Sequence, residues 1–359
     1  MVRHADLIGA DRAHLDRPRG RADGVRRARD VPFAAVQARP GAPLAIVQAR
    51  RDAPGTRRRY RPAGASSRLA RPRGRARPAA RPEGDSPPGG PSLVSAITVR
   101  KIRFPFDALP PLDGSDEELG SLLPVLGLSL TMPYLEPYLI RTMNAALREI
   151  TDTALAEDVR RFAQQEGHHY RNHAVFNATL RARFDGATAG RLQAIEAELE
   201  DDYQRFTRDR SLRFNVAYAE GFEAMTCAGA LAAAAHGAFD PGSGVPGGEL
   251  WSWHMAEEIE HRTVAFGVFE HLVGSYPYRI IAGVRAQWHY LSYVARFAGE
   301  MSRALGRTPS RPRSAMHREV IRRYFRTWSP WYDPATIEVP PSVPALLARY
   351  TAAAEHVRS

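Results

Sequence analysis

Three metal-type side chains on one face of one helix constrain this chain more than any other feature. They are His254, Glu258 and His261 within Trp251-Ser-Trp-His-Met-Ala-Glu-Glu-Ile-Glu-His-Arg-Thr263. At about 100° per residue these positions fall within an arc of roughly 60°, and nothing in the stretch breaks a helix. Two imidazoles and a carboxylate are costly to bury together unless they share protons or a metal. A lone Glu-x-x-His is a weak signal. With 21 Glu and 12 His in 359 residues, about 0.7 would arise by chance.

The rest of the chain supplies the missing partners. A helix expected over about 131–150 carries Glu136. Another over about 153–183 carries Glu166-Gly-His-His169, a second Glu-x-x-His. A third over about 211–236 carries Glu223, with Glu220 one turn earlier. The fourth, about 249–273, carries Glu258-Ile-Glu-His261. One Glu from each of two helices and one Glu-x-x-His from each of the other two is the ligand set of carboxylate-bridged dinuclear sites in ferritin-like bundles. The chain order is also the one such a bundle requires.

The fold expected is therefore all-α. It has a ferritin-like four-helix bundle over residues 96–305 and a C-terminal helical extension over 306–359. Strand signals are nearly absent. A short extended arm over 98–106 precedes Ser115-Asp-Glu-Glu118, a capping-box start for a helix over about 116–130. Thr131 is expected to cap the next segment, with Pro133 in its first turn. Further helices are expected at about 188–208, 278–305 and 315–328, with a last one after Pro344. The helix at 278–305 is rich in aromatics (Trp288, Tyr290, Tyr293, Phe297) but interrupted by Arg279, Arg285 and Arg296. It reads as a packing helix that walls a pocket for an apolar substrate, and no membrane span is expected.

Residues 97 to about 300 resemble the bacterial family labelled "predicted metal-dependent hydrolase". The resemblance is carried by Glu166-Gly-His-His-Tyr-Arg-Asn-His173 and by Trp251 through His261-Arg-Thr-Val-Ala-Phe266. The ligand spacing is also similar to that of the di-iron arylamine N-oxygenases. These add one His a turn before the last Glu-x-x-His, the place held here by His254. The candidate metal ligands are Glu136, Glu166, His169, Glu223, His254, Glu258 and His261.

Neighbouring residues have plainer readings. His173, one turn beyond His169, is expected behind the ligands or at the surface, with an eighth ligand as the alternative. His168 points about 100° away from His169. Glu220 shares a face with Glu223 and is the alternative ligand. Glu257 and Glu260 lie off the ligand arc and are expected to be solvated or paired with Arg. Cys227 reads as a small core residue. Tyr134, Tyr138, Tyr170 and Tyr218 read mostly as packing, with one of them a candidate donor to a ligand carboxylate.

Composition matters mainly for the first 95 residues, which carry 21 Arg against 8 acids, whereas 96–359 carry 29 Lys and Arg against 31 acids. The overall charge of +11 thus belongs to an Arg/Pro/Gly/Ala-rich stretch with no core-forming period. It is expected to be a disordered tail, or a start extended upstream of the true one. Nucleic acid is not an expected partner, because the aromatic interleaving that stacks on bases is missing. A single Cys fits a reducing cytoplasm. A homodimer is a possible assembly.

Two metal ions are expected, iron first, with manganese or zinc as alternatives, since mixed imidazole and carboxylate donors suit all three. The leading expectation is activation of O2 to oxidise a small organic substrate. The alternatives are a dinuclear metal-dependent hydrolase and a non-catalytic metal-binding bundle.

Overall fold

The computed structural model describes residues 97–106, 109–240, 242–308 and 314–356; the expectations for residues 1–95 lie outside that set. The described residues form α1 (Asp116–Ala146), α2 (Thr153–Arg181), α3 (Gly186–Asp209), α4 (Leu212–Ala235), α5 (Gly248–Glu260), α6 (Val264–Leu272), α7 (Tyr276–Ala304), α8 (Ala315–Arg326) and α9 (Ser342–His356), with one 3-10 turn at Pro334–Thr336. No strand occurs among them. The all-α expectation holds.

Helix starts follow their capping residues. Ser115 and Glu118 form the expected capping box of α1, Asp152 caps α2, Asp185 caps α3 and Ser211 caps α4. Each side-chain oxygen accepts from a backbone N–H that has no partner inside the helix.

Two boundaries differ from expectation. The break at Thr131 is absent, and α1 runs through Pro133 and Pro137 without ending. Thr131 does not cap; its hydroxyl donates back to the carbonyl of Leu128. An interior proline costs about 3 kcal/mol or more. α1 holds three such prolines, Pro124, Pro133 and Pro137, and the burial of Leu119, Leu123, Leu126, Leu130, Leu135, Leu139 and Met143, at about 1.5–3 kcal/mol each, offsets their cost. The second difference is at the other end of the site. The helix expected over 249–273 is split, because His261 leaves the helical region at φ −96°, ψ 11° and its N–H closes α5 onto the carbonyl of Glu257. The terminal helix begins at Ser342, ahead of Pro344 rather than after it, with Pro344 inside its first turn.

Helix α1 lies along α2 and α7, and α4 lies along α7 and α5. The α4–α7 crossing is set by glycines: a Cβ on Gly221 would collide with the Cα of Gly283, and Gln287 Nε2 donates to the Gly221 carbonyl at 2.7 Å. Gly247, at φ 71°, starts α5, and a Cβ there would strike the ring of Phe176. These two close approaches set the depth at which α4 and α5 enter the core.

The aromatics of α7 divide between its two faces. Tyr290, Tyr293 and Phe297 are buried, while Trp288 is 80% exposed. Among the described helices, α1 is long and apolar enough to cross a membrane, and 56% of its most apolar window is buried inside the fold.

Candidate metal centre

Four helices converge on one buried cluster. Glu136 comes from α1, Glu166 and His169 from α2, and Glu223 from α4. His254 and Glu258 come from α5, and His261 from its C-terminal cap; all seven are essentially inaccessible. Two overlapping groups, Glu166–His169–Glu258–His261 and Glu136–His169–His254, have their donor atoms within 4.8 Å of one another. His261 Nε2 is 3.2 Å from Glu166 Oε1 and 3.8 Å from Glu258 Oε1, and its Nδ1 is 3.5 Å from Glu223 Oε2. His169 Nδ1 is 3.6 Å from Glu166 Oε2. His254 Nε2 lies 2.9 Å from Glu258 Oε1 and 3.7 Å from Glu136 Oε1. Donors that share an ion at about 2.1 Å stand about 3 Å from one another, so the spacing is that of coordinating atoms.

Hydrogen bonds behind the cluster set the direction of two imidazoles. Asn177 Nδ2 donates to the Ser129 carbonyl at 2.7 Å, so its Oδ1 is free to accept from Ser129 Oγ at 2.6 Å. Ser129 Oγ therefore accepts from His173 Nδ1 at 2.8 Å. His173 Nε2 is left to accept from His254 Nδ1 at 2.7 Å. His254 then presents the lone pair of Nε2 to two carboxylates. His169 is set the same way, since its Nε2 faces Glu257 Oε2 at 2.9 Å and leaves Nδ1 towards Glu166. Lone pairs facing carboxylates repel one another unless a cation lies between them.

The remaining polar atoms repeat that demand. Both oxygens of Glu136 and of Glu166, Oε1 of Glu223, Oε2 of Glu258, Nδ1 of His169 and both nitrogens of His261 are buried without a hydrogen-bond partner. Each such orphan costs about 1–3 kcal/mol, more where it is charged. Burial, reinforced by the neighbouring carboxylates, holds the protons on Glu136 and Glu223 well above the usual range. Burial also pushes Glu258 up, but His261 and His254 outweigh it and hold that carboxyl down at about 2. The donor set fits a metal.

Around the cluster the walls are aromatic. Trp253 packs edge-on against His169 and Phe162 against His261, each at 4.8 Å between ring centroids. Trp251 stacks on His254 at 5.8 Å. These rings keep water from the imidazoles.

The structure also separates residues that the sequence left together. Glu220 is not at the cluster; it pairs with Arg279 Nη1 at 3.1 Å, and Arg279 also donates to the carbonyls of Thr327 and Ser329. Burial, partly offset by Arg279, pushes the Glu220 carboxyl up to about 7. Glu257 and Glu260 are paired with Arg as expected, but buried: Arg100 Nη1 reaches both at 2.9 Å, and Gln165 adds a bond to Glu260 at 2.7 Å. None of the four tyrosines donates to a cluster carboxylate; Tyr134 bonds Glu196 and Tyr138 bonds Asn215. Cys227 is a buried free thiol packed with Leu231, Ala256 and Ile259. Sequence reasoning missed Arg100, Ser129 and Asn177. Asn177 alone carried a signal, one turn beyond His173 on α2.

Comparison with curated proteins and with solved structures returned no match. The family model described as predicted metal-dependent hydrolase matches residues 98–338, from the arm that carries Arg100 to the segment beyond α8. With two thirds of its length matched and this cluster at its centre, the chain belongs to that family of predicted metal-dependent hydrolases.

Proposed function

We propose that the chain is a hydrolase built on a two-metal centre, with Glu136, Glu166, His169, Glu223, His254, Glu258 and His261 as its ligands. The observation that carries this reading is the buried cluster of orphaned carboxylate and imidazole donors in a chain of a metal-dependent hydrolase family. Four carboxylates with neutral imidazoles carry four negative charges, which two divalent cations balance. Imidazole and carboxylate donors suit iron, manganese or zinc. When bound, a metal pair supplies Lewis acidity and lowers the pKa of water.

The chain's own residues do the rest. Arg100 fixes Glu257, and Glu257 fixes the ring of His169. The Asn177–Ser129–His173 chain fixes His254. Such supporting partners hold ligands in orientation and raise their basicity. Trp251, Trp253 and Phe162 exclude water from the imidazole side, so charges inside act at low dielectric.

A second reading, oxidation of a small organic substrate with O2, is favoured by one observation. His254 places a third imidazole where a hydrolytic centre keeps room for water. One experiment tests both. Protein loaded with iron, manganese or zinc is analysed for metal, then assayed for hydrolysis of a short soluble ester and for O2 consumption. The hydrolytic reading expects two metals per chain, loss of metal in Glu166→Ala and Glu258→Ala, and hydrolysis that proceeds without O2. O2 uptake by the iron form, with no hydrolysis under any metal, overturns it in favour of oxidation. Absence of stoichiometric metal overturns both.

A further inference from the structure

Apolar side chains stand in the open on two neighbouring helices. On α7, Ile281, Val284, Trp288 and Leu291 are 38% to 80% exposed. At about 100° per residue they fall within an arc of about 80°. On α8, which has no buried residue, Ile321 and Phe325 are exposed one turn apart. The two rows adjoin. Tyr324 donates to Gln287 Oε1, and Arg279 donates to the carbonyls of Thr327 and Ser329 just beyond α8. Helix α8 therefore lies antiparallel to the first half of α7. Helical spacing puts Ile321 and Phe325 on the side of α8 nearer Tyr324 and α7, with Arg322 and Arg326 on the side away from it. Scattered apolar exposure is ordinary, but six large side chains in one tract mark a contact surface.

Both borders of the tract are basic. Arg322 and Arg326 run along the α8 side, and Arg285 and Arg296 lie on one line of α7 along the α3 side. Arg285 and Arg326 have no side-chain partner among the described residues. The acids nearby are engaged. Glu198 pairs with Arg296, and Glu319 with Arg322 and Arg323. Asp202 accepts from Tyr293 and pairs with Arg205, and Asp201 shares its hollow with Arg205 and Arg208. Asp333 and Glu338 line a separate hollow beyond Arg323 and Arg326, against α4.

That charge pattern decides the partner. A two-fold axis along α7 would lay the α8 border of one copy over the α3 border of the other. An axis across α7 would lay each border over its own copy. Either way guanidinium groups meet guanidinium groups, which disfavours a second copy of this chain. A layer of anionic lipid headgroups instead meets both borders at once, and the row between them reaches the acyl boundary. Helices with Trp and Phe on one side and Arg on the other lie in such an interface.

We propose that the α7–α8 face seats the protein on membranes that contain anionic lipid. This is independent of the reaction at the metal centre. The test uses the metal-loaded full chain with Leu291→Cys, labelled with a dye whose emission reports polarity; the other thiol, Cys227, is buried. It is mixed with vesicles of phosphatidylcholine alone or with added phosphatidylglycerol. The dye should shift to the blue, and the protein sediment with the vesicles, only when phosphatidylglycerol is present. Trp288→Ser with Phe325→Ser should weaken sedimentation roughly tenfold or more, with metal content and circular dichroism unchanged. Arg285→Glu with Arg326→Glu should weaken it roughly tenfold or more as well. Attachment through the 21 Arg of residues 1–95 alone would leave the dye unshifted and both double variants bound, and that overturns the proposal. A dye shift without vesicles together with a doubled mass overturns it in favour of a second copy. A shift as large with polyglutamate overturns it in favour of an acidic protein, and no shift under any condition overturns it outright.

Discussion

His173 Nε2 stands 2.7 Å from His254 Nδ1, wholly inside the protein. Neither ring is charged in the native state, because burial, followed by the neighbouring imidazoles, lowers His173 far below the usual histidine range and lowers His254 as well. The contact is thus one N–H donated between two neutral rings, and it fixes which nitrogen of His254 faces the carboxylates.

His173→Ala should leave the fold intact and weaken metal binding by about 10–100-fold, the usual effect of removing a residue that orients a ligand. His173→Gln, whose side-chain oxygen can accept from His254 Nδ1, should recover part of the loss. Chelator competition reads both. Unchanged affinity in His173→Ala would show that His254 is held by other contacts.

Glu220 and Glu223 are one turn apart on α4 and have opposite fates. Glu223→Gln should lower metal content, because the lost charge leaves the cluster short of one carboxylate. Glu220→Gln should leave metal content unchanged, its neighbour being Arg279. Elemental analysis of the two purified variants decides, and the reverse result would exchange their roles.

Arg100→Met should destabilise the protein by about 3 kcal/mol or more, the cost of leaving buried charges without a partner. Glu257 and Glu260 are both buried against that guanidinium. Urea unfolding of metal-free protein measures it. A change under 1 kcal/mol would mean that Gln165 and water carry the two acids without Arg100.

Metal-free protein should lose stability as pH rises above about 6.5. Glu136 and Glu223 have native values raised well above 4.5, chiefly by burial. His169 is raised above 6.5 because hydrogen bonds and charge from Glu166 and Glu257 outweigh burial. A group with a raised native value binds more protons folded than unfolded, so stability falls as pH climbs towards that value. His173 and His254, lowered in the fold, act in the opposite sense but finish titrating in the unfolded chain near 6.5. Glu258, held at about 2, acts only in acid. Saturating metal should reverse the slope, since ligands bind metal in their deprotonated form. Thermal melts between pH 6.5 and 9, with and without metal, check the sign.

Most of the helices were legible in the sequence because capping and periodicity are local. Ser115, Asp152, Asp185 and Ser211 start their helices by bonding the next turn. Glu166 and His169, or Glu258 and His261, share a face simply by being three residues apart. That determined the all-α class and six of the residues that meet, with Glu223 or Glu220 as the seventh. Tertiary packing decided what local spacing leaves degenerate. Glu220 and Glu223 lie on the same face of α4, and the approach of Arg279 from α7 separates them. Arg100 reaches Glu257 across 157 residues of sequence, a pairing with no period to read. The continuity of α1 through its prolines came from burial, which offsets their local preference to end a helix, and the break at His261 has no signal in the local pattern. Whether a buried polar group has a partner is a property of the folded volume, and no window along the chain contains it.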